Sequence, residues 1–259
     1  MNLLGKTHIM PTKITYVGHA TVHVKQEKRS FLTDPNFSGR VWTIKRQTPL
    51  PEVALFNSPD VIFVSHAHYD HLNIHSYKYF SSKIPIVMPK GLGKLITRAC
   101  KNPIIEMYPG ETVKLMDDLQ VTSFPVNHRG FRLSGFRYTG CNGYLIESEG
   151  VKTFFPGDTG YRSDFADFQN VDIALLPLGP CNPEKMMRPR HMNHEDVLKV
   201  TSEMKPKITI PIHWGTFRLG LDSLMKPMNE FKKLLKDHPE ANRIKILNPG
   251  EAMDVSFRI

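Results

Sequence analysis

Short apolar runs separated by turn residues set the rhythm of this chain. Ile14–Val24 alternates apolar and polar positions and is rich in β-branched residues, a strand pattern. Ser30–Thr33 follows, and Val61-Ile62-Phe63-Val64 is short and apolar at every position. Runs of the same type recur at Pro85–Met88, Ile104–Met107, Leu119–Val126, Gly143–Ile146 and Lys152–Phe155. They continue at Val171–Leu176, Ile208–Ile212 and Ile244–Leu247. Helical spacing is rarer and predicts helices over Leu72–Phe80, Gly91–Cys100, His194–Met204 and Ser223–Leu235. The last places Leu224, Met228, Phe231 and Leu235 on one face, with Pro227 marking where the helix proper begins. Asn193 is positioned to cap the third. Many short strands with a few helices between them predict an α/β fold with more than one sheet. The 20 prolines and 17 glycines are spread throughout, and neither a linker nor a repeat breaks the chain, so residues 1–259 read as one domain.

A chain of 259 residues can bury roughly 70% of its surface, enough to fold without a staple. No apolar stretch approaches the ~18 residues of a spanning helix. The opening MNLLGKTHIM lacks the apolar core of a signal peptide, so a cytoplasmic location is expected. Cys100, Cys141 and Cys181 are odd in number and widely spaced, which argues against a disulfide framework or a cysteine-only metal site. The net charge of +9 favours an anionic partner: nucleic acid, an anionic membrane surface met peripherally, or a phosphorylated metabolite. Against nucleic acid, the basic residues are dispersed and no binding motif for it is present. Nothing in the pattern fixes the oligomeric state.

Histidine changes the picture. Of the 12, four fall within His66–His75 and two more stand at His191 and His194. The segment VIFVSHAHYDHLN ends an apolar strand at Ser65 and follows it directly with His66, His68, Asp70 and His71. Three imidazoles and a carboxylate within six residues form a ligand set for zinc, manganese or iron. In an extended turn, residues two apart point the same way, so His66 and His68 can share one ion. Asp70 and His71, where the next helix should begin, can point at a second. Further ligands are available in one recurring context: His128, Asp158 and His213 each lie just past the C-terminal end of an apolar strand. Strand ends of that kind gather at one edge of a sheet. The isolated His23, His75 and His238 read instead as surface or satisfied core histidines.

The form His-x-His-x-Asp-His in HAHYDH resembles the metallo-β-lactamase superfamily. GHAT, LTDP, SHAHYDH, GDTGY and PIHWGTF together resemble the branch that holds N-acylphosphatidylethanolamine-hydrolysing phospholipase D and its bacterial relatives. The L-ascorbate-6-phosphate lactonase is a second relative of the same general type. This resemblance implies a four-layer αββα sandwich of two mixed sheets, with the site at one edge between them. It implies two metal ions, usually zinc, with iron or manganese also suited to the ligands. His66, His68 and His128 would hold the first ion, Asp70, His71 and His213 the second, and Asp158 would bridge them. A hydroxide between the ions would be the nucleophile, since one zinc lowers the pKa of bound water to about 7. Asp70 would orient that water as a base. His19 and Asp34 are candidates to hydrogen-bond the ligands and fix their tautomers.

The substrate is less constrained. Arg40–Arg46, Arg129–Arg137 and Lys185–Met192 mix basic and apolar residues. Trp42, Phe131, Phe136, Met186 and Met187 could line a pocket for an acyl chain, with the arginines meeting phosphate. By the resemblance, His191 matches a substrate-recognition histidine that could bind phosphate or protonate the leaving group. Arg190 stands beside it, where those relatives carry a neutral amide. The leading expectation is a phosphodiesterase of phospholipase D type acting on a small-molecule or phospholipid diester. The alternatives are a lactonase acting on a sugar phosphate, and a metal-containing nucleic-acid-binding or nuclease domain.

Overall fold

Both faces of the run Val61-Ile62-Phe63-Val64 are buried, which is why it has no polar position. Side chains alternate across a strand. Val61 and Phe63 join an apolar cluster with Ile14, Tyr16, Val22, Phe31, Tyr144 and Phe154. Ile62 and Val64 face the other way, into a cluster with Leu32, Leu72, Tyr77, Ile86 and Met88. The first cluster fills the space between two sheets and continues under the helices that cover one of them, and the second lies on the outer face of the other sheet.

The computed structural model describes residues 8–132 and 140–259. Residues 1–7, and with them most of the segment that predicts no signal peptide, lie outside the described residues, as do Phe136 and Arg137. In chain order the first strands are β1 (Ile9–Gly18), β2 (Thr21–Lys25), β3 (Ser30–Thr33), β4 (Arg40–Val41), β5 (Ile44–Lys45) and β6 (Val61–Phe63). Next come β7 (Ile86–Pro89), the short helix α1 (Gly93–Ile96), β8 (Ile104–Met107), β9 (Thr112–Met116), β10 (Leu119–Pro125), β11 (Asn142–Ser148) and β12 (Val151–Phe155). The chain ends with β13 (Ile173–Pro177), α2 (Glu184–Met187), α3 (His194–Met204), β14 (Ile208–Ile212), α4 (Lys226–Leu235) and β15 (Ala252–Arg258).

One sheet has the order β15-β1-β2-β3-β6-β7-β8 and the other β14-β13-β12-β11-β10-β9, with β4 and β5 forming a separate hairpin. Helices α3 and α4 place Val197, Val200, Met228 and Phe231 in the first apolar cluster, against the second sheet. The layers are therefore helix, sheet, sheet, helix, and the αββα expectation holds.

Strand direction is what positions the site. β1 is antiparallel to β2 and β2 to β3, so β1 runs with β3, which is parallel to β6. In the other sheet β10 and β12 are both antiparallel to β11, and β12, β13 and β14 are parallel. The C-terminal ends of β1, β3 and β6 thus share one edge, and those of β10, β12 and β14 share another.

Several expectations need correction. Ile14–Val24 is not one strand but a hairpin, turning at Gly18 and His19, whose φ angles are 138° and 57°. Alternation continues through the turn, so the pattern alone hides it. Gly91–Cys100 contains only the four-residue α1, and Leu72–Phe80 contains a 3-10 helix, Ile74–Tyr79, capped by Asn73. Ile244–Leu247 forms a single bridge, Thr209 to Ile244, rather than a strand. By contrast, α3 spans the predicted residues and opens on a capping box between Asn193 and Asp196. Pro227 lies in the first turn of α4, as its fixed φ favours.

Candidate metal centre

Each strand end named above delivers at least one polar residue to the same place. β1 leads into His19, β3 into Asp34, β6 into Ser65 and His66, β10 into His128, β12 into Asp158 and β14 into His213. All six titratable groups are buried. The turn after β6 adds His68, Asp70 and His71.

The side chains form two groups. His66, His68, His128 and Asp158 offer atoms that all lie within 4.8 Å of one another, and so do His19, Asp70, His71 and His213. In the first, His68 Nδ1 is 2.9 Å from His66 Nε2 and 3.1 Å from His128 Nε2. Asp158 Oδ2 is 3.8 Å from His66 Nε2 and 3.9 Å from His128 Nε2. In the second, Asp70 Oδ2 is 2.8 Å from His19 Nε2, 3.5 Å from His71 Nε2 and 3.6 Å from His213 Nε2. Asp158 reaches this group too, with Oδ2 3.2 Å from His71 Nε2 and Oδ1 3.2 Å from His213 Nε2. Atoms bonded at ~2.1 Å in a tetrahedron stand about 3.4 Å apart, and these spacings bracket that value.

The residues fit a cation on a second count. Among the described residues, His71 Nε2, His213 Nε2 and Asp158 Oδ1 are buried and lack a well-formed hydrogen bond, although they converge. A buried polar atom left unpaired costs ~1–3 kcal/mol, and one shared cation satisfies several at once. The unpaired, converging atoms thus fit a candidate ligand set.

Electrostatics agrees. Burial holds His66 well below the usual imidazole range, and it pushes His128 down to about 3 and His191 down to about 4. A neutral ring is what ligation requires of His66 and His128. Burial alone would raise Asp70 and Asp158, but the imidazoles around them, His71 for Asp70 and His213 for Asp158 foremost, hold both well below the carboxylate range. Burial disfavours charge on His213, yet Asp158 lifts it to about 9, and the surrounding carboxylates raise His71 as well. Those two rings carry the protons that a divalent ion would displace.

The tautomers are fixed from behind. Asp34 Oδ2 lies 2.6 Å from His71 Nδ1, and Asp34 also accepts from Ser65 N at 2.7 Å and Ser65 Oγ at 2.5 Å. His128 Nδ1 lies 3.1 Å from the Arg190 carbonyl. His19 holds Asp70, and its backbone carbonyl accepts from His213 N at 2.7 Å. The structure places His19 against Asp70 and Asp34 against His71, both candidate ligands. Ser65 was missed: a serine ending a strand carries no signal until Asp34 is known to face it. If the cluster holds ions, zinc added to metal-free protein at about 100 times its Kd stabilises it by about 2.7 kcal/mol per site. That corresponds to roughly 5–10 °C in Tm for a chain of this size. Thermal unfolding with and without zinc measures it, and an unmoved Tm would show that no ion binds.

Outside the ligands, a cleft of about 470 Å³ opens beside them, lined by His68, His128, Arg129, Phe131, Met186, Met187, Arg190 and His191. His191 Nδ1 is 3.6 Å from Asp158 Oδ2. Phe131 and Met186 are exposed at its rim, as are Arg129 and Arg190. Trp42, expected to share this pocket, does not reach it. It sits at the tip of the β4–β5 hairpin against Tyr69, with ring centroids 5.3 Å apart, and lines a different cavity. Arg132, one of the arginines expected to meet phosphate, is buried and donates to the backbone instead. The three cysteines are free, and no helix among the described residues is long and apolar enough to cross a membrane.

Residues 29–214 match the model of the Beta-lactamase superfamily domain. The chain is 30% identical over 248 residues to N-acyl-phosphatidylethanolamine-hydrolyzing phospholipase D 1 of Caenorhabditis elegans, covering 85% of this chain and 69% of that protein. It is also 30% identical to the mitochondrial N-acyl-phosphatidylethanolamine-hydrolyzing phospholipase D of Saccharomyces cerevisiae, over 86% of this chain but only 52% of the yeast protein. Among solved structures, a metallo hydrolase from the archaeon Ignicoccus hospitalis superposes with a TM-score of 0.73 at 21% identity, covering 96% of this chain and 100% of that one. Two facing sheets whose strand ends converge on paired histidine–aspartate groups, and a domain match over most of the length, lead to one assignment: the chain belongs to the β-lactamase superfamily, as a metal-dependent hydrolase.

Proposed function

We propose that this hydrolase is dinuclear and cleaves a lipid-like phosphodiester in the manner of a phospholipase D. The observation that carries the reading is the cleft, which joins an apolar wall and two arginines directly to the candidate ligands. Support also comes from the two phospholipase D relatives, each 30% identical.

In this reading His66, His68 and His128 would hold one ion and Asp70, His71 and His213 the other, with Asp158, whose oxygens approach both groups, available to each. Zinc suits the set, and iron and manganese take the same ligands. Two such ions, when bound, supply a hydroxide nucleophile at neutral pH and positive charge for the developing phosphoryl oxyanion. The chain's own residues do the rest. Asp70, held by His19, accepts a proton from the attacking water or orients it. His191 faces the cleft with a neutral ring, which can donate a hydrogen bond to a phosphoryl oxygen or to the leaving oxygen. Arg129 and Arg190 meet the diester's charge at the rim, and Phe131, Met186 and Met187 pack along an alkyl chain. The same basic and apolar rim suits peripheral contact with an anionic membrane surface, where such a substrate resides.

A panel of chromogenic phosphodiesters and lactones with the zinc-loaded protein tests this. Turnover of bis-p-nitrophenyl phosphate without lactone turnover is expected. Lactone hydrolysis with no diester hydrolysis would defeat the reading and favour a lactonase.

A further inference from the structure

The turn that carries His68, Asp70 and His71 is fastened by a residue outside both ligand groups. Arg132 is only 6% exposed. Its Nη1 donates to the carbonyls of Ala67 at 3.0 Å and Leu72 at 2.8 Å, the residues that bracket the turn. The guanidinium also lies 4.1 Å from the centroid of the Tyr69 ring, in the middle of the turn, and Trp42 packs against that ring. Two further carbonyls of the turn are engaged: His68 O accepts from the amides of His71 and Leu72, and Asp70 O from Asn36 Nδ2.

Chain connectivity gives this arrangement a consequence. Arg132 follows His128 by four residues, so the segment that delivers one candidate ligand also grips the turn that delivers three others. The guanidinium lines a cavity of about 400 Å³ with Arg40, Trp42, Tyr69, Asn73 and His75, and none of the candidate ligands lines that cavity. The cleft at His68, His128 and His191 does not include it. Arg132 therefore sits where it can shape the ligand turn without touching a substrate in the cleft. A buried cation needs hydrogen bonds and a π face to offset its lost hydration, and this one has both. Arginine suits the task because its planar fork stays charged and holds its donors in fixed directions.

We propose that Arg132 is a positioning residue, which locks the Ala67–Leu72 turn to the His128 segment and so holds His68, Asp70 and His71 in ligating geometry before an ion arrives. This rests on the ligand assignment given above. The test measures zinc affinity by competition with a chromophoric chelator, the visible spectrum of the cobalt-substituted protein, and Tm of the metal-free protein. The proteins compared are wild type, Arg132→Met and Arg132→Lys. Arg132→Met is expected to bind zinc about 10-fold more weakly, within the range seen when groups supporting a ligand are removed, and to shift the cobalt spectrum. Arg132→Lys, which keeps a donor for the carbonyls, should fall between. If Arg132→Met merely lowers Tm of the metal-free protein, with wild-type zinc affinity and cobalt spectrum, the residue only packs and the proposal is overturned. Should Arg132→Met fail to fold, Arg132→Lys decides: weaker zinc binding at an unchanged metal-free Tm supports positioning, and wild-type affinity overturns it. Wild-type protein that takes up neither metal overturns the ligand assignment itself, a result distinct from any change confined to the variants.

Discussion

Under the proposed dinuclear phosphodiesterase reading, Asp158→Ala is expected to reduce bound metal from two ions per chain to one or fewer and to slow diester hydrolysis on the order of 10³-fold. The reason is position. Asp158 is 2% exposed, and its two oxygens lie within 4 Å of ring nitrogens from both groups: His66 and His128 on one side, His71 and His213 on the other. Asp158 is thus the carboxylate that spans the two groups. Asp70 is confined to the second group, where His19 already occupies one of its oxygens. Removing Asp158 therefore weakens ion binding by both groups together. A metal pair contributes several kcal/mol of transition-state stabilisation, and each 1.36 kcal/mol is a factor of ten in rate, hence the magnitude. Metal analysis and bis-p-nitrophenyl phosphate turnover on the same preparation read both effects. Full metal content with full turnover in the variant would remove Asp158 from the centre. Asp158→Asn, which keeps shape but loses charge, separates the electrostatic contribution from the steric one.

What sequence reveals here, and what it hides, follows from how local each signal is. The HAHYDH segment is visible because four candidate ligands, three histidines and an aspartate, crowd into six residues, which no packing rule requires. His128, Asp158 and His213 are each unremarkable alone. They become visible because all three follow apolar runs, and parallel strand directions then carry them to one place. The hairpin at Gly18 and His19 is hidden because a period of two continues unbroken through it. β15 is hidden for another reason: most of its residues are half-buried or exposed, so Ala252–Arg258 never forms an apolar run, and only its pairing with Ile9–Thr15 of β1 makes it a strand. Arg132 looks like any basic loop residue. Its role depends on two carbonyls 60 and 65 positions earlier, a separation that no window along the chain spans. Trp42 misleads for the same reason: its composition suggests a pocket wall, but the fold decides which pocket.

Asp34→Asn is the near-isosteric change expected to cost most in metal binding for least in fold, about 100-fold in affinity at the upper end for a group that supports a ligand. Asp34 Oδ1 accepts from Ser65 N at 2.7 Å, and Oδ2 lies 2.6 Å from His71 Nδ1. A carboxylate only accepts, so His71 must carry a proton on Nδ1, which leaves the Nε2 lone pair free to bind an ion in the direction of Asp158. An asparagine must still accept from the Ser65 amide with its oxygen, so its amino group takes the place of Oδ2. That group only donates. His71 Nδ1 must then accept, its proton moves to Nε2, and the lone pair that should meet the ion is blocked. The backbone has no reason to move, because Asp34 adopts φ 32°, a left-handed conformation that asparagine tolerates well. Metal titration together with Tm of the metal-free protein reads the effect: affinity should fall while Tm stays within a few degrees of wild type. Asp34→Ala provides the contrast, since it leaves the buried Ser65 N–H unpaired at a cost of ~1–3 kcal/mol, and Tm should fall with metal affinity. If Asp34→Asn instead binds metal as tightly as wild type, Asp34 does not set the tautomer of His71, and its hydrogen bonds serve only to join β3 to β6.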